Sequence, residues 1–519
     1  MNIQPLVAKF FLSFRAALRL TAGLGALLAG CTVGPDFVPP PEPQVQSFAE
    51  EPVDVSVSDP REAQQRLALG KKIAASWWSL MRSPQLDKVL QQAIADSKTI
   101  AAAKATLAQA QEAVTATAGG LYPQVNLNAS ISRQKPNPEA QGIQQPSSIF
   151  NLYTIGPSVT LPLDIFGETK RQVEQQDALA QFQSQQLNAA YLTLTGNAVN
   201  QALAIASARA QIKAVEAIIA DDEHNLKSVE EELKVGSSTK IDLESARSQL
   251  ATDRNQLPPL RQQLSVAKHA LSVLAGKAPA EWSPPDFELA DFKLPPELPV
   301  TLPSEIVHQR PDILAAEAQL HAATAAVGVA TAQLYPNLSL SASFSQQALT
   351  TGPLFTAASS IWSAAGNLTA PIFHGGTLTA QKRGAEDAFQ ATLANYQQTV
   401  LTSFGQVADT LKALEHDAQL VDGQRRALDS AQASAELTRT SFESGQANLL
   451  QVLDAERLLQ QARLGYVRAV AQRYQDTAQL FIAMGGDWAS WRAQAGAAPG
   501  LASAPAPRET AMARAPRTN

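Results

Sequence analysis

One twelve-residue stretch is written almost twice: "LYPQVNLNASIS" from Leu121 and "LYPNLSLSASFS" from Leu334, 213 positions apart. Each copy opens Leu-Tyr-Pro and then alternates. Val125, Leu127, Ala129 and Ile131 fall on one side, Asn126, Asn128, Ser130 and Ser132 on the other. In the second copy Leu338, Leu340, Ala342 and Phe344 oppose Ser339, Ser341, Ser343 and Ser345. Period-two alternation predicts a strand whose two faces meet unlike surroundings. A second alternating run follows each copy: Tyr153, Ile155, Val159 and Leu161 against Thr154, Gly156, Ser158 and Thr160, then Trp362, Ala364, Gly366 and Leu368 against Ser363, Ala365, Asn367 and Thr369.

The non-apolar face is small and neutral. A soluble sheet usually sets Lys, Glu or Arg on its wet face. Uncharged alternation instead suits a membrane barrel, with lipid outside and water in the lumen, and runs of about ten residues cross when tilted. Four strands do not close a barrel, and an open edge is not tolerated in lipid. The chain is therefore expected to oligomerise. Two copies supply eight strands, too narrow for a channel, and three supply twelve.

The repeat extends well beyond the strands. We expect a signal peptide at 1–30, an extended N-terminal tether at 31–82, a first repeat at 83–278, a Pro-rich acidic linker at 279–302 and a second repeat at 303–488. In the first repeat a helix runs from Ser83-Pro84 to Gly119-Gly120, with strands at about 121–133 and 150–164. A long helix at about 168–234 has no proline and one glycine, Gly196. Its seam (Leu187, Tyr191, Leu194, Ala198, Ala202 and Ile205, then Ile212, Val215, Ile219, Leu226, Val229 and Leu233) steps like a coiled coil. At 1.5 Å per residue it is roughly 100 Å long. The turn "VGSSTK" reverses the chain into a helix at about 238–275, broken at Pro258-Pro259. The second repeat has a helix from about Arg310, strands at about 334–346 and 358–372, a long helix at about 377–443, the turn "SGQANL" and a helix at about 447–484. Pro162 and Pro371, Gly167 and Gly376, and Gly236 and Gly445 all share an offset of 209. The Ala/Pro-rich tail, 489–519, is expected to be disordered.

The N-terminus narrows the compartment. Lys9, Arg15 and Arg19 precede the apolar run "LTAGLGALLAGC", which is too short for a permanent span. Small residues lead to Cys31, the only cysteine, so disulfide frameworks and thiolate clusters are excluded. "LAGC" resembles a bacterial lipobox, which implies cleavage before Cys31 and an S-diacylglycerol and N-acyl lipid (palmitate) on it. Thr32 in place of an aspartate is what that resemblance associates with the outer membrane. Removing three signal-peptide cations takes the formal charge from −6 to −9, which argues against nucleic acid as a partner. The histidines (224, 269, 308, 321, 374 and 416) include no i, i+4 metal pair, and neither a P-loop nor a nucleophile elbow occurs. We expect no metal, no cofactor beyond the lipid and no enzymatic activity. A lipid-anchored scaffold or adaptor built on helical hairpins stays open on the residues alone.

Several stretches together carry a family resemblance: "GCTVGPDFVPP", "WWSLMRSPQLDKVLQQA", "LDIFGE", "LPSEIVHQRPDILAAEAQL", "TAQLYPNLSLSAS", "APIFHGG", "SGQANLLQVLDAERLL" and "LFIAMGGDW". From Cys31 to Trp488 the chain resembles the outer membrane factors of tripartite efflux pumps, the TolC-like family, in its lipoprotein (NodT-type) branch. The resemblance implies a mainly α protein with a transmembrane β part. It implies a homotrimer whose twelve-stranded barrel continues a long periplasmic α-helical barrel. The implied partners are a periplasmic adaptor and an inner-membrane transporter of the RND type, and the implied cargo is small toxic compounds or drugs. The duct of a protein secretion system is the alternative. By the same resemblance Leu450, Asp454 and Arg457 look like a periplasmic gate, on one helical face by their spacing of four and three. Asp242, Glu244 and Arg247 stand in the corresponding first-repeat stretch. Val235, Gly236 and Ser237, with Ser444, Gly445 and Gln446, look like adaptor-docking tips.

Overall fold

The computed structural model describes residues 32–74, 76–137, 142, 148–486 and 488. The expected signal peptide, Cys31 and the expected disordered tail lie outside the described residues. In chain order the elements are β1 (Arg66–Leu69), α1 (Pro84–Asp96), α2 (Lys98–Ala118), β2 (Gln124–Gln134), β3 (Phe150–Leu163), α3 (Glu168–Val235), α4 (Lys240–Arg254), α5 (Leu257–Leu274), β4 (Glu297–Val300), the single turn α6 (Pro303–Ile306), α7 (Pro311–Ala332), β5 (Asn337–Ala348), β6 (Ser360–Thr369), α8 (Thr377–Glu443) and α9 (Leu449–Met484). The order helix, two strands, long helix, returning helix thus occurs twice.

Both repeated strands start directly after their proline, at Gln124 and Asn337, since proline has no N–H for the ladder. The first helical signal is two helices rather than one. Ser97 ends α1 by donating its N–H to the Ala93 carbonyl (2.9 Å), and its Oγ accepts the Ile100 N–H (3.4 Å) to start α2. The returning helix of the first repeat also divides, into α4 and α5, just ahead of Pro258-Pro259.

The chain separates into two compact units. Among the described residues the first holds 32–40 and those within 105–184 and 315–397, and with them the antiparallel sheet β2-β3-β5-β6. Its register stacks like with like. Val125 pairs Val159, which pairs Ala342, which pairs Ala364. Ile131 pairs Tyr153, Leu161 pairs Leu340, and Phe344 pairs Trp362. On the other face Asn128 Nδ2 donates to Ser158 Oγ (2.8 Å), Ser343 and Ser363 share a hydrogen bond (2.9 Å), and Gln347 Nε2 reaches Thr154 Oγ1 (3.4 Å). Ile361 opposite Ser345, Leu152 opposite Ser132 and, at the strand end, Phe150 opposite Gln134 are the apolar exceptions on that face. Among the described residues none covers the apolar side at its outer strands: Leu127 is 74% and Trp362 75% exposed.

The second unit holds the described residues within 41–104, 185–314 and 398–488. The first half of the α3 seam, Leu187 through Ile205, is buried here; nearer the turn Val215 and Val229 are buried and Ile212, Ile219, Leu226 and Leu233 only partly so. Gly196 makes room for Ile482, whose Cδ1 a Cβ there would meet at 2.7 Å. The tether and linker take part in the fold. β1 pairs in parallel with β4, from Arg66↔Glu297 to Leu69↔Val300. Trp77, Met81, Leu86, Phe287 and Leu298 are fully buried around that pair, and Trp77 lies against Phe481 (5.8 Å between rings). Arg310 of "HQRPD" donates to the Ala483 carbonyl (2.7 Å) and to Gln406 Oε1 (2.8 Å), closing the end of α9.

Candidate functional site

The two hairpin turns are built alike. Gly236 and Gly445 take φ of +81° and +77°, a region open to glycine at little strain. Around each, paired amides close the helix end. Gly236 N–H meets the Leu233 carbonyl and Ser237 N–H the Glu232 carbonyl; Gly445 N–H meets Phe442 and Gln446 N–H meets Ser441. This 6→1 and 5→2 pairing satisfies carbonyls that otherwise lack donors. The next helix then opens with a capping box, Thr239 with Asp242 in the first hairpin and Asn448 with Gln451 in the second. Each tip leaves apolar groups in water: Val235 is 81% exposed, and Ile241 and Leu450 are also exposed.

Leu450, Asp454 and Arg457 share the exposed face of α9, opposite buried Val452 and Ala455. Leu450 is 66% exposed, and Arg457 pairs with Asp454 on its own helix. Within one protomer, then, Arg457 bridges along α9 and not to a neighbouring helix. The first-repeat residues are placed differently. Asp242 accepts from Thr239 N (2.9 Å), Thr239 Oγ1 (2.6 Å) and Ser238 Oγ (3.3 Å), and the Thr239 hydroxyl leads in holding its carboxyl below the usual range. It is a cap. Glu244 pairs with Arg247 (3.0 Å), which also reaches Glu230 on α3 (3.3 Å). At the offset of 209 the counterparts of Leu450, Asp454 and Arg457 are Ile241, Ser245 and Ser248, so the first hairpin does not repeat that triad.

The offset exposes another relation. Glu230 and Arg247 bridge α3 to α4, and at the equivalent positions Arg439 and Glu456 bridge α8 to α9 (2.5 Å) with the charges exchanged. Glu456 is buried and also accepts from Asn225 of α3.

A third place is the junction of strands and helices in the sheet unit. Cys31 is outside the described residues, but Thr32 next to it lies against Gly167, and Val33 N–H donates to the Phe166 carbonyl (3.1 Å). Buried Arg171 holds the following residues, with Nη2 on Asp36 (2.7 Å), Nε on the Val33 carbonyl (3.3 Å) and Nη1 on Glu174 (2.7 Å). Gly34, at φ +95°, sits so close to α7 that a Cβ would meet Gly328 Cα at 2.5 Å. Phe37 stacks on His321 (4.4 Å), which meets Glu174 (3.1 Å). The sequence marks "VGPDF" but not its partners Arg171, Gly328 or His321; a glycine inside an otherwise alanine-rich helix is the available signal.

A family model for outer membrane efflux proteins matches residues 89–277 and 302–486, the two halves of the duplication. The chain is 31% identical over 435 residues to "Pyoverdine export outer membrane protein OpmQ" of Pseudomonas aeruginosa, covering 82% of this chain and 91% of that protein. It is 28% identical over 467 residues to "Probable outer membrane lipoprotein SilC" of Salmonella typhimurium, covering 89% and 97%. Among solved structures, the outer-membrane channel OprN aligns with a TM-score of 0.80 at 25% identity, over 88% of this chain and 100% of that one.

Proposed function

The chain belongs to the outer membrane efflux protein family, and from that premise we propose the form its duct takes. It is an outer-membrane efflux channel. Three copies close a twelve-stranded barrel, with the apolar sheet face to lipid and the Ser/Asn/Thr face to the lumen. The observation that carries this is the sheet itself. Four strands present one continuous, uncovered apolar face, and their outer edges at β2 and β6 have no partner strand among the described residues. In lipid those edges must be paired.

Cys31 carries the lipid anchor. The contact of its neighbour Thr32 with Gly167, between β3 and α3, supports an anchor beside that junction. The exposed tips around Gly236 and Gly445 receive a periplasmic adaptor, and through it an inner-membrane pump of the RND type. Leu450 supplies an apolar constriction at that end and three copies of Asp454 an acidic ring, with Arg457 as the charge that holds it. The duct is passive and does no chemistry on its cargo. OpmQ is named for pyoverdine export; for this chain we place the cargo among small toxic compounds or drugs, chosen by the pump.

The direct test is drug accumulation in cells that lack their own outer-membrane efflux channel but keep the matching pump and adaptor. Supplying this chain lowers accumulation. Unchanged accumulation, with the chain present in the outer membrane, overturns the reading. Mass spectrometry of the mature N-terminus tests the anchor: acylated Cys31 is expected, and an unmodified Cys31 in mature protein contradicts it.

A further inference from the structure

In the second unit the first hairpin closes over two carboxyls. Asp222 on α3 lies fourteen residues before Gly236, and Asp253 on α4 lies fourteen after Thr239, so they stand level across the antiparallel pair. Both are 3% exposed. Asp253 accepts from Gln249 Nε2 and Gln256 Nε2, each at 2.6 Å. Asp222 Oδ1 accepts one long bond from Gln460 Nε2 of α9 (3.4 Å), while its Oδ2 is buried with no donor.

The surrounding charges are committed elsewhere. On α9, Glu456 adds a third acid whose charge is taken by Arg439 of α8, and Asn225 of α3 donates to it. Arg463 of α9 pairs with Asp221, and Arg254 of α4 with Glu223. Among the described residues no cation forms an ion pair with Asp222 or Asp253. A second facing pair, Asp417 and Asp476 between α8 and α9, has buried Arg473 beside it as a counter-charge. The Asp222 pair has none.

Two buried like charges at one contact are strongly disfavoured, and one proton removes the repulsion while supplying the missing donor. We propose that Asp222 and Asp253 share one proton when the hairpin is closed, and that losing it loosens α4 from α3 and α9, making this hairpin a pH-responsive element. The shift of the carboxyl agrees in direction. Burial, then the facing Asp253 carboxyl, push Asp222 up to about 7. A carboxyl raised in the fold gives stability that is full below its ordinary range near 4, and is lost as pH rises through about 7. The hairpin is thus tighter in mild acid than in mild base. This rests on contacts within one protomer, so it stands or falls apart from the duct reading.

The test is hydrogen exchange of the α4 amides in the full-length detergent-purified protein, as protection factors corrected for intrinsic exchange, at mildly acidic and mildly alkaline pH. Wild type loses protection by about tenfold or more on the alkaline side, the equivalent of one unit of linkage. Asp222→Asn keeps its protection, because an amide supplies a donor and no charge. Should that variant not fold, Asp253→Asn answers the same question by the same exchange measurement, and wild type must in addition show the infrared band of a protonated buried carboxyl at mildly acidic pH. Wild-type protection that does not change with pH, a variant that loses it as wild type does, or no protonated-carboxyl band at acidic pH overturns the proposal.

Discussion

Gly34 and Arg171 decide whether the N-terminal segment is a strap or a loose leader. Gly34 combines a left-handed backbone with backbone contact against Gly328. Alanine there meets both obstacles, the conformational one alone costing about 1–2 kcal/mol. Gly34→Ala and Arg171→Ala should both expose residues 32–40 to protease while the rest of the chain stays resistant; equal resistance contradicts the strap. The exchanged ion pairs make a quantitative contrast. Glu230 and Arg247 are both well exposed, so Arg247→Ala should lower hairpin stability by under about 1 kcal/mol. Glu456 is buried, and Glu456→Ala strands Arg439 and Asn225, for a loss of about 1–3 kcal/mol. Exchange protection near the two tips compares them, and equal effects would refute the ranking. At this scale the sequence is legible where one residue type has one use, as at Gly236 and Gly445. It is ambiguous at Asp242, where an acid in a helix's first turn serves the cap as readily as a gate. The Asp222–Asp253 pairing is invisible in it, since no local pattern links residues that meet only across a hairpin.

At the scale of elements, the alternation in β2 makes a sharp claim about its faces. Leu127→Lys places a charge toward lipid near mid-strand and should cost about 2–4 kcal/mol, whereas Asn128→Lys points to the lumen and should be tolerated. Yield of folded protein in the outer membrane separates the two, and equal yields would contradict the assignment. Asn448→Ala removes the cap of α9 and should destabilise its first turn by about 1 kcal/mol, seen as faster exchange at 449–452. Strands and long helices are readable because each repeats one periodicity over many residues. The β1–β4 pair is not: four residues each, 231 positions apart in register at Arg66 and Glu297, are too short for a period. The break at Ser97 is hidden for a related reason. A single serine that ends one helix and caps the next leaves no proline or glycine to mark the place.

For the whole molecule, the protomer is unfinished by its own physics. It exposes Leu127, Ile131, Trp362 and Leu368 on one sheet face, and it ends in two strand edges that need partners in lipid. The missing charges on the strands and their number, four, are both legible in the sequence, and together they already require an oligomer. Gate behaviour belongs to this scale too. The Asp454–Arg457 pair is exposed and worth under about 1 kcal/mol to the protomer. Arg457→Ala should therefore leave stability unchanged and raise single-channel conductance in planar bilayers; unchanged conductance removes Arg457 from the gate. The central claim is tested most directly by native mass spectrometry of the protein extracted from the outer membrane in mild detergent. The account predicts three chains in a complex that survives extraction, and a stable monomer or dimer with its sheet intact would contradict it.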